Sequence, residues 1–286
     1  MSAESVPVTV YEPSSGWRLI NVSELWRYRE LLYFFAWRDI KVRYKQTVLG
    51  AAWAIIQPFM LMIVFTIFFN RNGIAHSGEI PYPVFVYSGL VLWQLFASSL
   101  AAASNSIVGN GSIITKIYFP RLIVPVSAMG TAVVDFFMAC GMLAVLMCWY
   151  GISPGWQLLF VPVPFLLCIA TAAGLGCIIS ALNVSFRDFR YTVPFMIQIW
   201  LFATPTIYMA LPAKHAEDAT GTFDIVKSAL IYCNPMTSIV SSFRTAILGQ
   251  PMQGGMLFAS AGMALAVLVA GLAIFRRSEA RFADIV

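Results

Sequence analysis

The side chains best equipped for chemistry in this sequence are few: His76 and His215, five cysteines, a serine-rich stretch at residues 104–112, and Asp135, the single carboxylate inside a long apolar run. A serine paired with a histidine would serve acyl transfer. The charge pattern below puts the serines and the histidines on opposite faces of a membrane, so no such pair is expected. Two histidines far apart in sequence offer nothing at metal-ligand spacing. Cys140, Cys148, Cys168 and Cys177 lie in apolar runs and Cys233 stands alone, with neither a CxxC pair nor an even-numbered disulfide framework. The sequence has no GxxxxGK[ST], so it has no P-loop for ATP. GNGSII at residues 109–114 has glycine spacing reminiscent of a dinucleotide fingerprint, but it follows an apolar run and no Rossmann strand. Any nucleotide that drives this protein must be hydrolysed by another polypeptide. Asp135, placed at bilayer depth, would cost about 2.5–3.5 kcal/mol on insertion scales. It is either a pathway or proton-relay residue or, the reading favoured by there being only one, the acceptor of a structural hydrogen bond from a Ser or Thr of a neighbouring helix.

The elements that would hold these residues are membrane helices. Hydrophobic residues make up 59% of the chain and charged residues 11%, against about 25% charged in a soluble domain. The expected fold is an all-α polytopic membrane protein with six transmembrane helices, an N-terminal amphipathic interface helix and an outer re-entrant helical hairpin before the last span. The first residues are polar and carry Glu4 and Glu12 where a signal peptide would be basic, then apolar, so no cleavable signal is expected. The expected order is a cytoplasmic segment 1–20, the interface helix 21–45, a transmembrane domain 46–275 and a cytoplasmic tail 276–286. Spans are expected at about residues 48–69, 84–103, 122–150, 156–182, 192–211 and 255–275, each near the length that crosses a hydrocarbon core of roughly 30 Å. Residues 104–112 read as a small-residue loop, and Gly151, Pro154 and Gly155 as a tight turn. Residues 228–243 are apolar but too short to cross, and break at Asn234-Pro235; they form the re-entrant segment.

With six alternating spans, one side collects Arg18, Arg27, Arg29, Arg38, Lys41, Arg43, Lys45, Lys116, Arg121, Arg187, Arg190, Arg276, Arg277 and Arg281; the other has Arg71, Lys214, Lys227 and Arg244. By the positive-inside rule both termini are cytoplasmic. If 228–243 crossed as a seventh span, Arg276 and Arg277 would fall outside.

Residues 26–58 organise the cytoplasmic side. At 100° per residue, Trp26, Tyr33, Trp37, Ile40 and Tyr44 fall within about 60° of one another, Arg27, Glu30, Arg38, Lys41 and Lys45 share a strip of about 80°, and Leu31, Phe35 and Val42 lie on the far side. Asn21 with Glu24 is a capping-box variant at the start. Such a helix lies in the headgroup plane, its rings at the interface and its cations among phosphates or against a soluble partner. Charge then vanishes over residues 46–70. The aromatics near the outer ends of spans, among them Tyr82, Phe85, Tyr87, Trp93, Trp149, Tyr150, Trp156, Trp200, Phe202, Tyr208 and Tyr232, read mostly as interfacial belt residues, a minority lining a pathway on which sugar rings could stack. Trp93, Trp200, Phe202 and Tyr208, with Asp135, are the pathway candidates.

RELLYFFAWRDIKVRYKQTVLGAAWAIIQP, NGSIITKIYFPRLIVP, SALNVSFRDFRY and CNPMTSIVSSFRTAILG, in that order, resemble the membrane permease subunit of ABC-2 type polysaccharide exporters, the O-antigen, capsule and teichoic acid group. The resemblance covers most of the chain, from about residue 25 to 277. It implies a homodimer in a bacterial inner membrane bound to two copies of a cytoplasmic ABC ATPase that holds ATP and Mg, with no cofactor in this chain and no nucleic-acid partner, exporting a lipid-linked polysaccharide. It implies that Trp26, Tyr33, Trp37, Arg38, Lys41, Arg43 and Lys45 belong to an interface helix near the ATPase. It places Lys116, Ile117, Tyr118, Phe119 and Arg121 in or beside a coupling element, residues 109–120, that docks in an ATPase groove. Arg38, Lys41, Arg43 and Lys45 are also candidates for attracting the lipid pyrophosphate, or simply phospholipid. A small-molecule exporter of the same superfamily and a membrane-embedded glycan polymerase or ligase are the alternatives; the second would need outward-facing acid, base or arginine clusters, and Glu79, Glu217, Asp218, Asp224 and Arg244 are sparse.

Overall fold

The computed structural model describes residues 22–45, 49–70, 80–186, 188–206, 234–250, 254–279 and 282. Every regular element among them is helical. The first 20 residues, Asn21, His76, His215, Tyr208, Cys233, the first part of the expected hairpin and most of the tail lie outside them. Helices α1 (Val22–Arg27) and α2 (Arg29–Tyr44) replace the single expected interface helix; they break at Tyr28, whose carbonyl accepts from both Leu31 and Leu32. Then follow α3 (Ala52–Asn70), α4 (Tyr82–Gly109), the short α5 (Gly111–Ile114), α6 (Ile123–Ala128), α7 (Gly130–Trp149), a 3-10 turn (Trp156–Phe160), α8 (Pro162–Ser185), α9 (Phe189–Ala203), α10 (Pro235–Leu248) and α11 (Gly254–Glu279).

Among the described residues, five stretches are long and apolar enough to cross a membrane: Ala52–Phe69, Tyr82–Gly109, Ile123–Trp149, Trp156–Ser185 and Leu257–Glu279. The expected span at 192–211 is described only to residue 206, where α9 has already ended at Ala203.

Helix α4 is the axis of the bundle. It packs on α3, α6, α7, α8, α9 and α10, and Tyr82, Phe85, Tyr87 and Trp93 are all buried in it. These four are therefore core residues of this chain rather than belt residues. Trp149 and Trp156 are 84% and 75% exposed. Nor does α4 dissolve at residue 104. The hydroxyls of Ser104 and Ser106 bond back to the carbonyls of Ala101 and Ala103, 2.9 and 2.7 Å away, a local arrangement that small polar residues make without leaving the helix.

Span α8 fits against α4 and α11 through residues without side-chain bulk. A methyl on Gly176 would lie 2.5 Å from the Ala103 methyl, and one on Gly271 would lie 2.1 Å from the Gly174 carbonyl oxygen. Close backbone approach of this kind holds helices together in lipid, where no hydrophobic effect drives them.

The bundle has two chemically distinct ends. Of the described lysines and arginines, Arg27, Arg29, Arg38, Lys41, Arg43, Lys45, Lys116, Arg121, Arg190, Arg276 and Arg277 gather at the end carrying α1, α2 and α5, and only Arg244 belongs to the other. At that other end Gly151 and Gly249, both with φ of 69°, close α7 and α10. Such angles suit glycine. Here α10 is enclosed by α4, α8, α11 and the 3-10 turn; its 14 residues span about 21 Å, short of a bilayer core.

Candidate functional site: a coupling platform and its far-end counterpart

At the basic end α2 lies across α6 and α7. Its buried residue is Phe35, from the side opposite the Trp26/Trp37 stripe. The Phe35 ring meets the edge of Phe119 at 5.8 Å between centroids, inside a cluster that includes Ile107, Ile114, Ile123, Phe275 and Phe282. The expected stripe faces outward instead: Trp26, Tyr33 and Trp37 are exposed, with Tyr33 stacked on Trp37. Rings so placed suit a membrane interface, where an apolar body and a polar edge are both satisfied.

The basic residues of α2 divide into two groups. Arg38 donates to Asp39 and, at 2.8 Å, to the side-chain oxygen of Asn110, which ties the helix to the end of α4. Arg43 forms an ion pair with Asp135 at 2.7 Å, and the Tyr44 hydroxyl donates to the same carboxylate. Burial, with the neighbouring carboxylate, holds the Tyr44 phenol above its ordinary pKa, so it remains a neutral donor. Lys41 and Lys45 are exposed, Lys41 resting over the Trp37 ring at 5.4 Å.

Asp135 therefore takes its partners from α2, where a Ser or Thr of a neighbouring span was expected. Its carboxylate is 7% exposed, and the chain supplies both a cation and a hydrogen bond, as a buried charge requires.

The connection from α4 to α6 is compact. The Lys116 to Tyr118 part of the turn protrudes, with Ile117 and Tyr118 60% and 71% exposed, while Phe119 is 5% exposed. Arg121 is tied back to α11: its backbone N–H donates to the Glu279 carboxylate at 3.2 Å and its guanidinium to the Glu279 carbonyl. Glu279 also holds Arg276 at 2.7 Å. Asn183 of α8 donates to the Ser104 carbonyl and to Asn105, at 3.0 and 3.2 Å. A pair of exposed apolar side chains thus stands on a base fastened to α2, α4, α8 and α11. Asn110, Asn183 and Glu279 were not singled out in the sequence, though Asn110 and Asn183 fall inside the motifs that carry the resemblance.

Among the described residues, the pathway candidates Trp93, Trp200, Phe202 and Asp135 are not assembled into one surface. Trp93 is buried, and Trp93, Phe96 and Trp200 form a continuous aromatic packing, with centroids 5.4 and 5.1 Å apart. Phe202 is exposed on α9. Asp135 belongs to the basic end. Only Val193 of α9 is buried, and Tyr191, Phe195, Met196, Ile199 and Phe202 form its open face.

At the far end, Arg244 reverses an expectation. It is not a solvated outer charge but is 7% exposed, with its guanidinium 3.6 Å above the Phe85 ring. A helical period through Val240, Arg244 and Leu248 was the signal available in the sequence.

Two comparisons bear on this architecture. The chain is 29% identical over 265 residues to an O-antigen export system permease protein RfbA of Myxococcus xanthus, covering 92% of this chain and 98% of that one. It is 28% identical over 260 residues to an RfbA of Klebsiella pneumoniae, covering 90% and 95%, and 23% identical over 253 residues to the polysialic acid transport protein KpsM of Escherichia coli, covering 85% and 91%. The ABC-2 type transporter family matches residues 30–215, from α2 through the turn before α6 to the end of α9 and beyond, and the chain belongs to that family of membrane transport subunits.

Proposed function

We propose that this chain is the transmembrane permease subunit of an ATP-driven exporter that moves a lipid-linked polysaccharide out of the cytoplasm across a bacterial inner membrane. The observation that carries the reading is the near end-to-end similarity to permeases named for O-antigen export and polysialic acid transport. Their cargoes differ while their length and order of parts match this chain. The lack of a P-loop in the sequence supports a separate ATPase as the holder of ATP and Mg, and in this reading two copies of each subunit form the working complex. In the homodimer the open face of α9 meets the second copy, because a path wide enough for a sugar chain opens more readily between subunits than through a packed bundle. In this reading the fifth span is the one at 192–211, residues 228–243 belong to the re-entrant hairpin, and both termini lie on the cytoplasmic side with the basic platform.

ATP-driven closure of the partner pushes on Ile117 and Tyr118. The base beneath them passes the displacement to α4, α8 and α11, and α2 passes it to α7 through Arg43 and Asp135. Lys41 and Lys45 are the cations left to meet phosphate, whether of phospholipid or of the cargo's pyrophosphate.

The test is co-expression with a candidate ABC ATPase subunit from the same genome in a strain lacking its own exporter, followed by surface-glycan staining. Glycan at the surface is expected; hydrolysis stimulated by a hydrophobic small molecule without surface glycan would favour a drug exporter. Ile117→Asp combined with Tyr118→Asp should leave the amount of permease in the membrane unchanged, since both side chains are exposed. Co-purification of the ATPase and export should each fall at least about tenfold, which corresponds to 1.4 kcal/mol of lost docking.

A further inference from the structure

Arg244 is a buried cation with no carboxylate partner among the described residues. Its support comes from three sources. The Phe85 face lies 3.6 Å below the guanidinium carbon. One Nη2–H donates to the Thr206 carbonyl oxygen at 2.8 Å. The position of Gly89 leaves room for both groups, because a methyl there would stand 2.4 Å from Nη2 and 2.8 Å from the Thr206 oxygen. The Nε–H is buried and finds no acceptor. A guanidinium in this situation is not a net stabiliser. Replacing buried charges with apolar groups of similar volume is often neutral or favourable, and an unsatisfied buried donor is itself a cost.

What the guanidinium does accomplish is local. Thr204 and Thr206 follow α9, and both are gripped from α10 and its N-cap. Arg244 holds the Thr206 carbonyl, and Asn234 donates to the Thr204 hydroxyl at 2.8 Å while its own oxygen caps α10 at the Met236 N–H. Helix α9 fully buries only Val193, while Ile197, Trp200 and Leu201 pack partly on the core. Beyond Ala203 these polar contacts add a second hold on its far end, from α10.

We propose that Arg244 is a positioning residue, a latch from α10 onto the end of α9, which must release for α9 to move during transport. The inference rests on the exporter reading above. In the closed arrangement the guanidinium is held by the Thr206 carbonyl and the Phe85 face. When α9 swings away the carbonyl leaves, and a buried donor that already lacks one acceptor is stabilised by any oxygen-rich group entering the gap, water or cargo.

The test compares Arg244→Met and Arg244→Lys in the intact permease–ATPase complex by thermal unfolding, hydrogen exchange and surface glycan. In Arg244→Met we expect Tm unchanged or higher. Amide exchange should rise at least about tenfold in peptides covering residues 199–206 and nowhere in α4 or α8. ATP hydrolysis should persist while export falls about tenfold. Arg244→Lys, which keeps the cation over Phe85 and one donor, should recover part of both. Gly89→Ala should reproduce the exchange change, because a methyl there displaces the guanidinium and also crowds the Thr206 backbone. Unchanged exchange at 199–206 overturns the latch, and so does a global loss of Tm that Arg244→Lys does not repair. Faster exchange with normal export overturns its part in transport. If the wild-type complex puts no glycan on the surface, the exporter reading fails, and the exchange data still decide the latch.

Discussion

Gly271→Leu is expected to keep the chain from accumulating in the membrane, and Gly174→Leu to do the same. Each glycine lies where two backbones touch. A Cβ on Gly271 would stand 2.1 Å from the Gly174 carbonyl oxygen, and one on Gly174 would stand 2.6 Å from the Val267 oxygen and 2.7 Å from the Leu268 backbone. No rotamer change relieves a clash with main chain on both sides, so α8 and α11 must separate. Overpacking in a core costs about 1–3 kcal/mol when neighbours can shift; here the neighbours are two helix backbones and the effect should reach the top of that range or pass it. Gly262 is the control. It lies on the same helix and an added methyl would meet nothing within 4 Å, so Gly262→Ala should be neutral or slightly stabilising through helix propensity. Membrane levels and thermal unfolding in detergent give the comparison, and equal behaviour of Gly262→Ala and Gly271→Ala would refute the packing argument.

Arg43→Met is expected to harm the protein more than Asp135→Asn, although the two changes break the same ion pair. The Asp135 carboxylate is 7% exposed and the Arg43 side chain 43%. Without Arg43 the carboxylate stays buried with Tyr44 as its remaining partner. Losing one member of a fully buried pair costs about 3–5 kcal/mol, and the half-exposed cation argues for the lower end of that range, near 3. Without the carboxylate, Arg43 can turn toward headgroups, and the asparagine still accepts from Tyr44, so the cost should be about 1 kcal/mol. The double variant Arg43→Met with Asp135→Leu should recover most of the loss. Unfolding midpoints of the wild type, Arg43→Met, Asp135→Leu and the double variant close the cycle, and additive losses would show that the two side chains act independently.

The ion pair also marks how α2 is mounted. Ala36 lies against Gly130, and Arg43 and Tyr44 reach Asp135. Over those eight residues the helix climbs five residues along α7, roughly 7 Å at 1.5 Å per residue. A helix wholly in the headgroup plane would not rise in this way. Its first half presents rings and cations to the surroundings, and its last turn plugs into the bundle through a charge.

Much of this architecture was legible before any coordinates. The apolar runs marked where helices lie, because burying a backbone in hydrocarbon requires helix and about twenty apolar residues. The lopsided lysines and arginines marked which ends belong together, and the described ones do segregate, Arg244 alone standing apart. The turn at Gly151 and the break before Pro235 were visible because glycine and proline restrict or free φ on their own account. The missing P-loop pointed to a separate ATPase.

The faces of the helices were not legible. Phe35 was assigned to the side of α2 away from the ring stripe and proved to be the residue that packs, while Trp26 and Trp37 of the stripe look outward. Tyr87 read as a belt residue and Trp93 as a pathway candidate, and both lie in the core. Asp135 was expected to meet a serine or threonine and meets Arg43. The reason is common to all three. In water, a buried face is apolar and a solvated face polar, so periodicity separates them; in lipid both faces are apolar, and packing is chosen by shape, small residues and polar contacts between distant segments. A one-dimensional sequence therefore determined which segments enter the membrane and from which end they are charged. Which side of each helix touches its neighbour, and which distant cation answers a buried carboxylate, was decided only when the tertiary structure brought them within 3 Å.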